Sequence, residues 1–199
     1  AVKRWRGSGG KPLIPFWNTV PSIDLEEAKK LGLRPKRVVG PISWVEQTIL
    51  FNELPELNRD MCLFKVNTGC REQEVCQLHW SWLVKRDDGI WYFEIPESFV
   101  KNRIKRVVVL NDIAKTVIQK RMEDHQKYVF VYKDHSVNKM NGTAFRKARE
   151  RAIKKLPNLR NVGIHNLKHT YGARLRVEGV PEEDRNFLTG HKGRESMTS

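Results

Sequence analysis

Thr68-Gly69-Cys70-Arg71-Glu72-Gln73-Glu74 and, far down the chain, His165-Asn166-Leu167-Lys168-His169-Thr170 are the stretches on which this sequence turns. A third, Leu188-Thr189-Gly190-His191, follows the second. In the first stretch a Thr-Gly pair closes one helical pattern and Arg71 opens another, at a helix start whose N–H groups favour an anion. A planar guanidinium there can pair two oxygens of one phosphate. Glu74 falls on the same helical face and is suited to hold Arg71 or a neighbouring group in place. A surface arginine paired with a helix glutamate is the plainer alternative for these letters, so the stretch decides nothing alone.

In the second stretch His165 and Lys168 share one face at a helix start, with His169 beside them. A buried, hydrogen-bonded histidine in a first turn is the ordinary reading. His165 and His169 have the i, i+4 spacing of a zinc pair, but the metalloprotease signature requires Glu where Asn166 stands. His191 follows a glycine at a turn, where a capping histidine is commonplace. Lys101 sits among Asn102, Arg103, Lys105 and Arg106, which by itself reads as a solvated basic turn or as a phosphate contact that positions without specifying.

Composition narrows the partners. The chain has 199 residues, of which 39% are apolar and 30% charged, with a net charge of +14. That length suits one domain of ordinary size with a short appendage. No run of about 18 apolar residues occurs, so no membrane helix is expected, and the basic first residues lead into Gly and Ser rather than an apolar signal region. The positive surplus favours a polyanion, nucleic acid ahead of membrane, because the basic residues are scattered over several elements rather than set opposite one apolar face. Cys62, Cys70 and Cys76 fit neither a disulfide framework nor a zinc knuckle and read as reduced thiols.

Residues 1–40 read as a linker or arm from an upstream domain, broken by Gly7-Ser8-Gly9-Gly10 and by Pro12, Pro15, Pro21 and Pro35, with only Ile23–Leu33 briefly helical. From residue 41 to 199 the pattern tightens into one domain. Ser43 and Glu46 form a capping box for a helix carrying Trp44, Ile49, Leu50 and Leu54. Helices are expected over Asn58–Val66, from Arg71 with Val75 and Leu78 inward, over Ile113–Met122 behind Asn111 or Asp112, and from Asn141 or Thr143 to Leu156. Two more span Asn166–Val177, ended by Gly179, and the stretch from Pro181 to Leu188. Strands are expected at Ser81–Lys85 and Ile90–Ile95, joined by a turn through Asp88-Gly89, then at Arg106–Leu110 and Tyr128–Tyr132. The fold class is α+β: mostly helices with a small antiparallel sheet.

Taken in order, these pieces resemble the tyrosine recombinases, the phage-integrase family. The family's T-G-x-R-x-x-E is matched by Arg71 and Glu74, and its hairpin lysine by Lys101 ahead of Arg106-Val107-Val108-Val109-Leu110. Its H-x-x-R-H-T is matched by His165 through Thr170, and its L-x-G-H by Leu188 through His191. The likeness runs over roughly residues 41–199, and Val20-Pro21-Ser22-Ile23 is similar to the segment that joins such domains to an upstream DNA clamp. The resemblance implies a DNA breaking-rejoining catalytic domain acting in site-specific recombination through a 3′-phosphotyrosyl link. Arg71, Lys168 and His191 would hold the phosphate, His165 would assist proton transfer at the nucleophile, and Lys101 would protonate the leaving oxygen. Glu74 would support them. No metal or cofactor is implied, and the acidic cluster of a two-metal nuclease is missing. Double-stranded DNA is the implied partner, with a homo-tetramer on paired sites, DNA-bending accessory proteins, and a place on the nucleoid in the cytoplasm of a bacterial or phage-infected host.

Two positions depart from the pattern. Lys168 stands where the family has its second arginine and supplies charge without the bidentate fork. The nucleophilic tyrosine is expected about nine residues past the L-x-G-H histidine, some two and a half helical turns, which places it beyond Ser199. Tyr92, Tyr128, Tyr132 and Tyr171 all precede His191 and read as strand or core filling. A type IB topoisomerase-like enzyme and a degenerate, non-catalytic DNA-binding module are the alternatives.

Overall fold

The computed structural model describes residues 40–101 and 103–191, so the expected linker, apart from Gly40, and its short helix lie outside the described residues. Ser43 and Glu46 exchange side-chain and backbone hydrogen bonds in the expected capping box and start α1 (Trp44–Asn52). The next helix, α2 (Glu56–Thr68), is the structural axis. It is buried nearly all round, through Met61, Cys62, Phe64 and Val66 and also through Asp60 and Lys65, as a helix with partners on several sides must be. Gly69 ends it with φ +64°, and a Cβ there would lie 2.4 Å from Cδ1 of Tyr171. Both the left-handed backbone and the close approach require glycine. The short α3 (Glu72–Cys76) follows at once and turns Val75 and, just beyond it, Leu78 into the core.

A three-stranded antiparallel sheet comes next: β1 (Leu83–Lys85), β2 (Trp91–Ile95) and β3 (Arg106–Val109) in sequence order. Its register pairs Leu83 with Phe93, Phe93 with Val108, and Ile95 with Arg106. Phe64 of α2 meets Phe93 edge-on at 6.2 Å and Phe130 at 5.8 Å, which seats the sheet on the helical core. Strand alternation then sends Arg106 inward beside Val108. Residues 81–82 belong to a 3-10 turn (Trp80–Trp82) rather than to the first strand.

Asn111 caps α4 (Asp112–Lys120) through Ala114 N. Buried Asp60 of α2 accepts from Lys120 and Arg121, tying α4 down. The strand expected at Tyr128–Tyr132 is divided. Tyr128 bridges His79, and Val129 donates to the Leu78 carbonyl. Only β4 (Val131–Tyr132) pairs in a hairpin, with β5 (His135–Ser136). One apolar run thus serves two partners, because Val129 and Phe130 are both taken into the core. Asn141 caps α5 (Gly142–Ile153), which Arg151 and Lys155 fasten to Glu53 behind α1. The last two helices, α6 (Asn166–Val177) and α7 (Glu182–Thr189), follow the expected limits within a residue or two. Among the described residues, no helix is long and apolar enough to cross a membrane.

Candidate phosphate-binding active site

Four separate parts of the chain face one open cleft of about 1290 Å³. Arg71, Glu74, Lys101, His165, Lys168 and His191, all singled out from the sequence, line it together with His169 and Lys65. Arg71 comes from the N-cap of α3, Lys101 from the β2–β3 connection, and His165 and Lys168 from the start of α6. His191 follows α7, whose end is marked by Gly190 at φ +64°. The α6 start is anchored before any ligand arrives. Asn166 donates to the Gly40 carbonyl at 2.8 Å and accepts from Gly163 N at 2.9 Å, while Thr170 accepts from Ile42 N at 3.0 Å.

The anion site expected at the start of α3 differs in detail. The Arg71 N–H is already donated to Glu74 Oε2 at 2.8 Å, and Glu74 Oε1 accepts from Arg71 Nη1 at 2.9 Å. The Arg71 N–H is therefore not open to an external anion, whereas the side chains that line the cleft are. Burial pushes the Glu74 carboxyl up, but Arg106 and Arg71 outweigh it and hold the group below its ordinary value. Glu74 is thus an anion that organises cations, not a proton donor.

Arg106 is the residue that reading the sequence missed. The sequence places it at the start of a strand, beside a basic loop, and gives it no part in the site, yet only 4% of it is accessible. Its guanidinium reaches Glu74 Oε2 with one nitrogen and donates with the other to the carbonyls of Gly69 and Leu188, both at 3.2 Å. The signal was available, since alternation from buried Val108 puts residue 106 on the inner face of β3. Lys65 was missed as well. It lies inside α2 beneath the Arg71 loop and donates to the Cys70 carbonyl at 2.7 Å, with burial lowering its affinity for a proton.

The end of α7 is held by three cations. Arg106 takes the Leu188 carbonyl, Lys168 takes that of Thr189, and Arg71 takes that of Gly190 at 3.1 Å. A helix C-terminus carries partial negative charge and unpaired carbonyls, so it suits such partners. Lys168 is 7% exposed, and burial, reinforced by Arg106 and Arg71, lowers its pKa to about 7. Burial and then His169, Lys65 and Lys168 lower His165, which keeps an exposed imidazole neutral and able to accept a proton near neutral pH. The rings of His165 and His169 meet edge-on at 4.8 Å. Among the described residues, no group of three or more His, Cys, Asp or Glu side chains is placed to hold a metal ion.

His191 is lowered by burial and then by Lys168, Arg71 and Arg106. Its tautomer follows from its neighbour. The single hydroxyl hydrogen of Thr189 goes to the Arg185 carbonyl at 2.6 Å, so Thr189 Oγ1 receives the 3.0 Å contact from His191 Nδ1–H. Neutral His191 with its Nδ1–H on Thr189 keeps no second N–H, and only the imidazolium has one to offer an anion in the cleft. Gly190 makes the turn fit, because a Cβ there would lie 2.9 Å from Arg106 Nη1 and 3.1 Å from its Cζ. Gly190→Ala is expected to lose on the order of 2–3 kcal/mol in urea unfolding, from left-handed strain plus displacement of a buried guanidinium. A loss below about 0.5 kcal/mol, the level of a neutral surface change, would show that the turn shifts freely.

The model of the phage integrase family matches residues 45–199. The integrase of Salmonella phage P22 is 32% identical over 152 residues, covering 70% of this chain and 38% of that protein, so the chain spans well under half of that relative's length. The XerH site-specific recombinase bound to difH substrate superposes with a TM-score of 0.59 at 17% identity, over 98% of this chain and 55% of that one. A lambda integrase dimer bound to a COC′ core site gives a TM-score of 0.60 at 19% identity, over 85% and 62%. At those identities the likeness of the structures concerns the fold.

Proposed function

The chain belongs to the phage integrase family, and from that premise we propose that it is the catalytic part of a site-specific DNA recombinase that cleaves and rejoins strands through a 3′-phosphotyrosyl intermediate. The observation that carries this reading is the meeting of Arg71, Lys101, His165, Lys168 and His191 at one cleft, from elements far apart in sequence. Arg71 and protonated Lys168 and His191 bind the non-bridging oxygens and offset the added charge of the pentacoordinate transition state. A tyrosine oxygen attacks phosphorus while its proton passes to neutral His165. The bond to the 5′ oxygen breaks, and that oxygen takes a proton from Lys101. Attack by another 5′ hydroxyl reverses the sequence and releases the tyrosine, so the energy of the broken bond is conserved.

All four tyrosines of the chain are among the described residues, and none lines the cleft. The nucleophile in this reading therefore comes from outside the described residues. Duplex DNA is the proposed substrate, supported by the net charge of +14 and by the DNA-bound state of the structural relatives. Assembly as a tetramer on paired sites, with DNA-bending accessory proteins, completes the proposal, as does a place at the nucleoid of a bacterial or phage-infected cell. No comparison favours the topoisomerase or binding-only alternatives.

Two measurements test this. Affinity for duplex DNA, read by fluorescence anisotropy, is expected to fall on the order of tenfold or more per doubling of salt if about six phosphates are contacted. The full-length protein on nicked duplex DNA is expected to form a covalent adduct at the 3′ phosphate. A 5′-linked adduct, or salt-independent binding, would overturn the assignment.

A further inference from the structure

We propose that Arg106 is a positioning residue for the phosphate site: from behind the cleft it locks the Arg71 loop to the His191 turn, so that the two present their groups to one phosphate. This rests on the phosphodiester reading above and adds a residue that never touches the substrate. Arg106 does not line the cleft, and it is almost wholly buried. Its hydrogen bonds run to both halves of the site. On one side are Glu74, whose two oxygens hold Arg71, and the Gly69 carbonyl just before the loop. On the other is the Leu188 carbonyl, at the start of the turn that carries His191.

Arg71 and His191 lie on α3 and behind α7, which share no backbone pairing. Arg71 to the Gly190 carbonyl and Arg106 to the Leu188 carbonyl both cross the gap, while Lys168 ties the Thr189 carbonyl to α6. Arg71 and Lys168 line the cleft and, in the proposed function, exchange these carbonyls for phosphate oxygens. Arg106 stays out of the cleft, so its link persists with substrate present. The space for it is reserved, since a side chain at Gly190 would collide with its guanidinium. Lysine at position 106 keeps the charge, but a single ammonium lacks the fork that spans Glu74 and both carbonyls.

The test uses the 199-residue chain and inorganic phosphate, with the ring protons of His165 and His191 followed by NMR. Arg106→Lys is expected to weaken phosphate binding about tenfold or more, as loss of a hydrogen bond to a charged group would, although no charge is removed and no ligand contact is altered. Arg71→Lys is expected to show a similar loss. The decisive arm is the double variant. If Arg106 works through Arg71 and the turn, the loss in the double variant is clearly smaller than the product of the two single losses, whereas losses that multiply overturn the proposal. Wild-type affinity in Arg106→Lys overturns it too. Should that variant fail to fold, Gly190→Ala presses on the same guanidinium without altering charge and is expected to give the same loss. If the wild-type chain binds no phosphate, the proposed function falls. Arg106 is then judged by the His191 titration, which moves towards its ordinary value in Arg106→Lys if the turn has been released and stays fixed if the arginine merely fills the core.

Discussion

Arg71→Ala in the full-length protein is expected to slow covalent adduct formation by on the order of a thousandfold or more, the scale of losing a preorganised charge at a developing oxyanion. Affinity for duplex DNA should fall far less, because one phosphate contact among many contributes a small share of the electrostatic binding. The geometry explains the asymmetry. Glu74 fixes one end of the guanidinium, and the other end rests on the Gly190 carbonyl at the cleft wall. Glu74 thus keeps the guanidinium at the cleft, substrate has only the Gly190 carbonyl to displace from it, and that positioning disappears with the side chain. Arg71→Lys should recover binding but little of the rate. Quenched-flow measurement of the adduct alongside anisotropy separates the two effects. Adduct formation within tenfold of wild type in the alanine variant would remove Arg71 from the chemistry.

The second large effect concerns pH. Lys168 has its pKa lowered to about 7 by burial and by Arg106 and Arg71, so in the free protein its charge is present below that value and lost above it. A bound phosphate favours the ammonium and raises the pKa. Phosphate affinity is therefore expected to fall as pH rises above about 7, by up to about tenfold per pH unit, until the bound-state pKa is reached. His191, also lowered and a donor only when protonated, adds to this fall from its acid side. Lys168→Arg keeps its charge throughout and should flatten the limb above neutrality. An unchanged slope in that variant would mean that another group titrates. Stability should run the opposite way. Between about 7 and the ordinary value of 10.5 the unfolded chain holds the Lys168 proton and the folded chain does not. The free protein therefore gains stability with rising pH through that window, and Lys168→Met should abolish the gain.

Local signals in the sequence were sufficient wherever a rule concerned neighbours. The Ser43–Glu46 box, the Asn111 and Asn141 caps and the glycines that end α2 and α7 all stand where the letters put them. So do the helices that carry Arg71, His165 and Lys168 to the cleft. What was hidden depended on distant partners. Tyr128–Tyr132 looked like one strand, since nothing local shows that Val129 pairs with Leu78 while Val131 pairs with Ser136. Arg106 read as one more basic residue where a strand begins after a basic loop, because its partner carboxylate is supplied by Glu74 from another element. Lys65 sits in an apolar helical stretch, where a lysine is read as surface, and only the fold places the Cys70 carbonyl at its tip. Even the His191 tautomer required knowing that Thr189 spends its hydrogen on Arg185.

The successive carbonyls of Leu188, Thr189 and Gly190 have a consequence for the resting molecule. They supplement Glu74 as an internal counter-ion: the partial negative charge at the end of α7 offsets part of the repulsion among these cations, the rest of which lowers Lys168. In the proposed function, arrival of DNA is then an exchange of one set of oxygens for another rather than the filling of a vacant hole. A protein arranged this way tolerates its own charge while idle. It yields its grip on the backbone only to an anion that offers more than a helix end can.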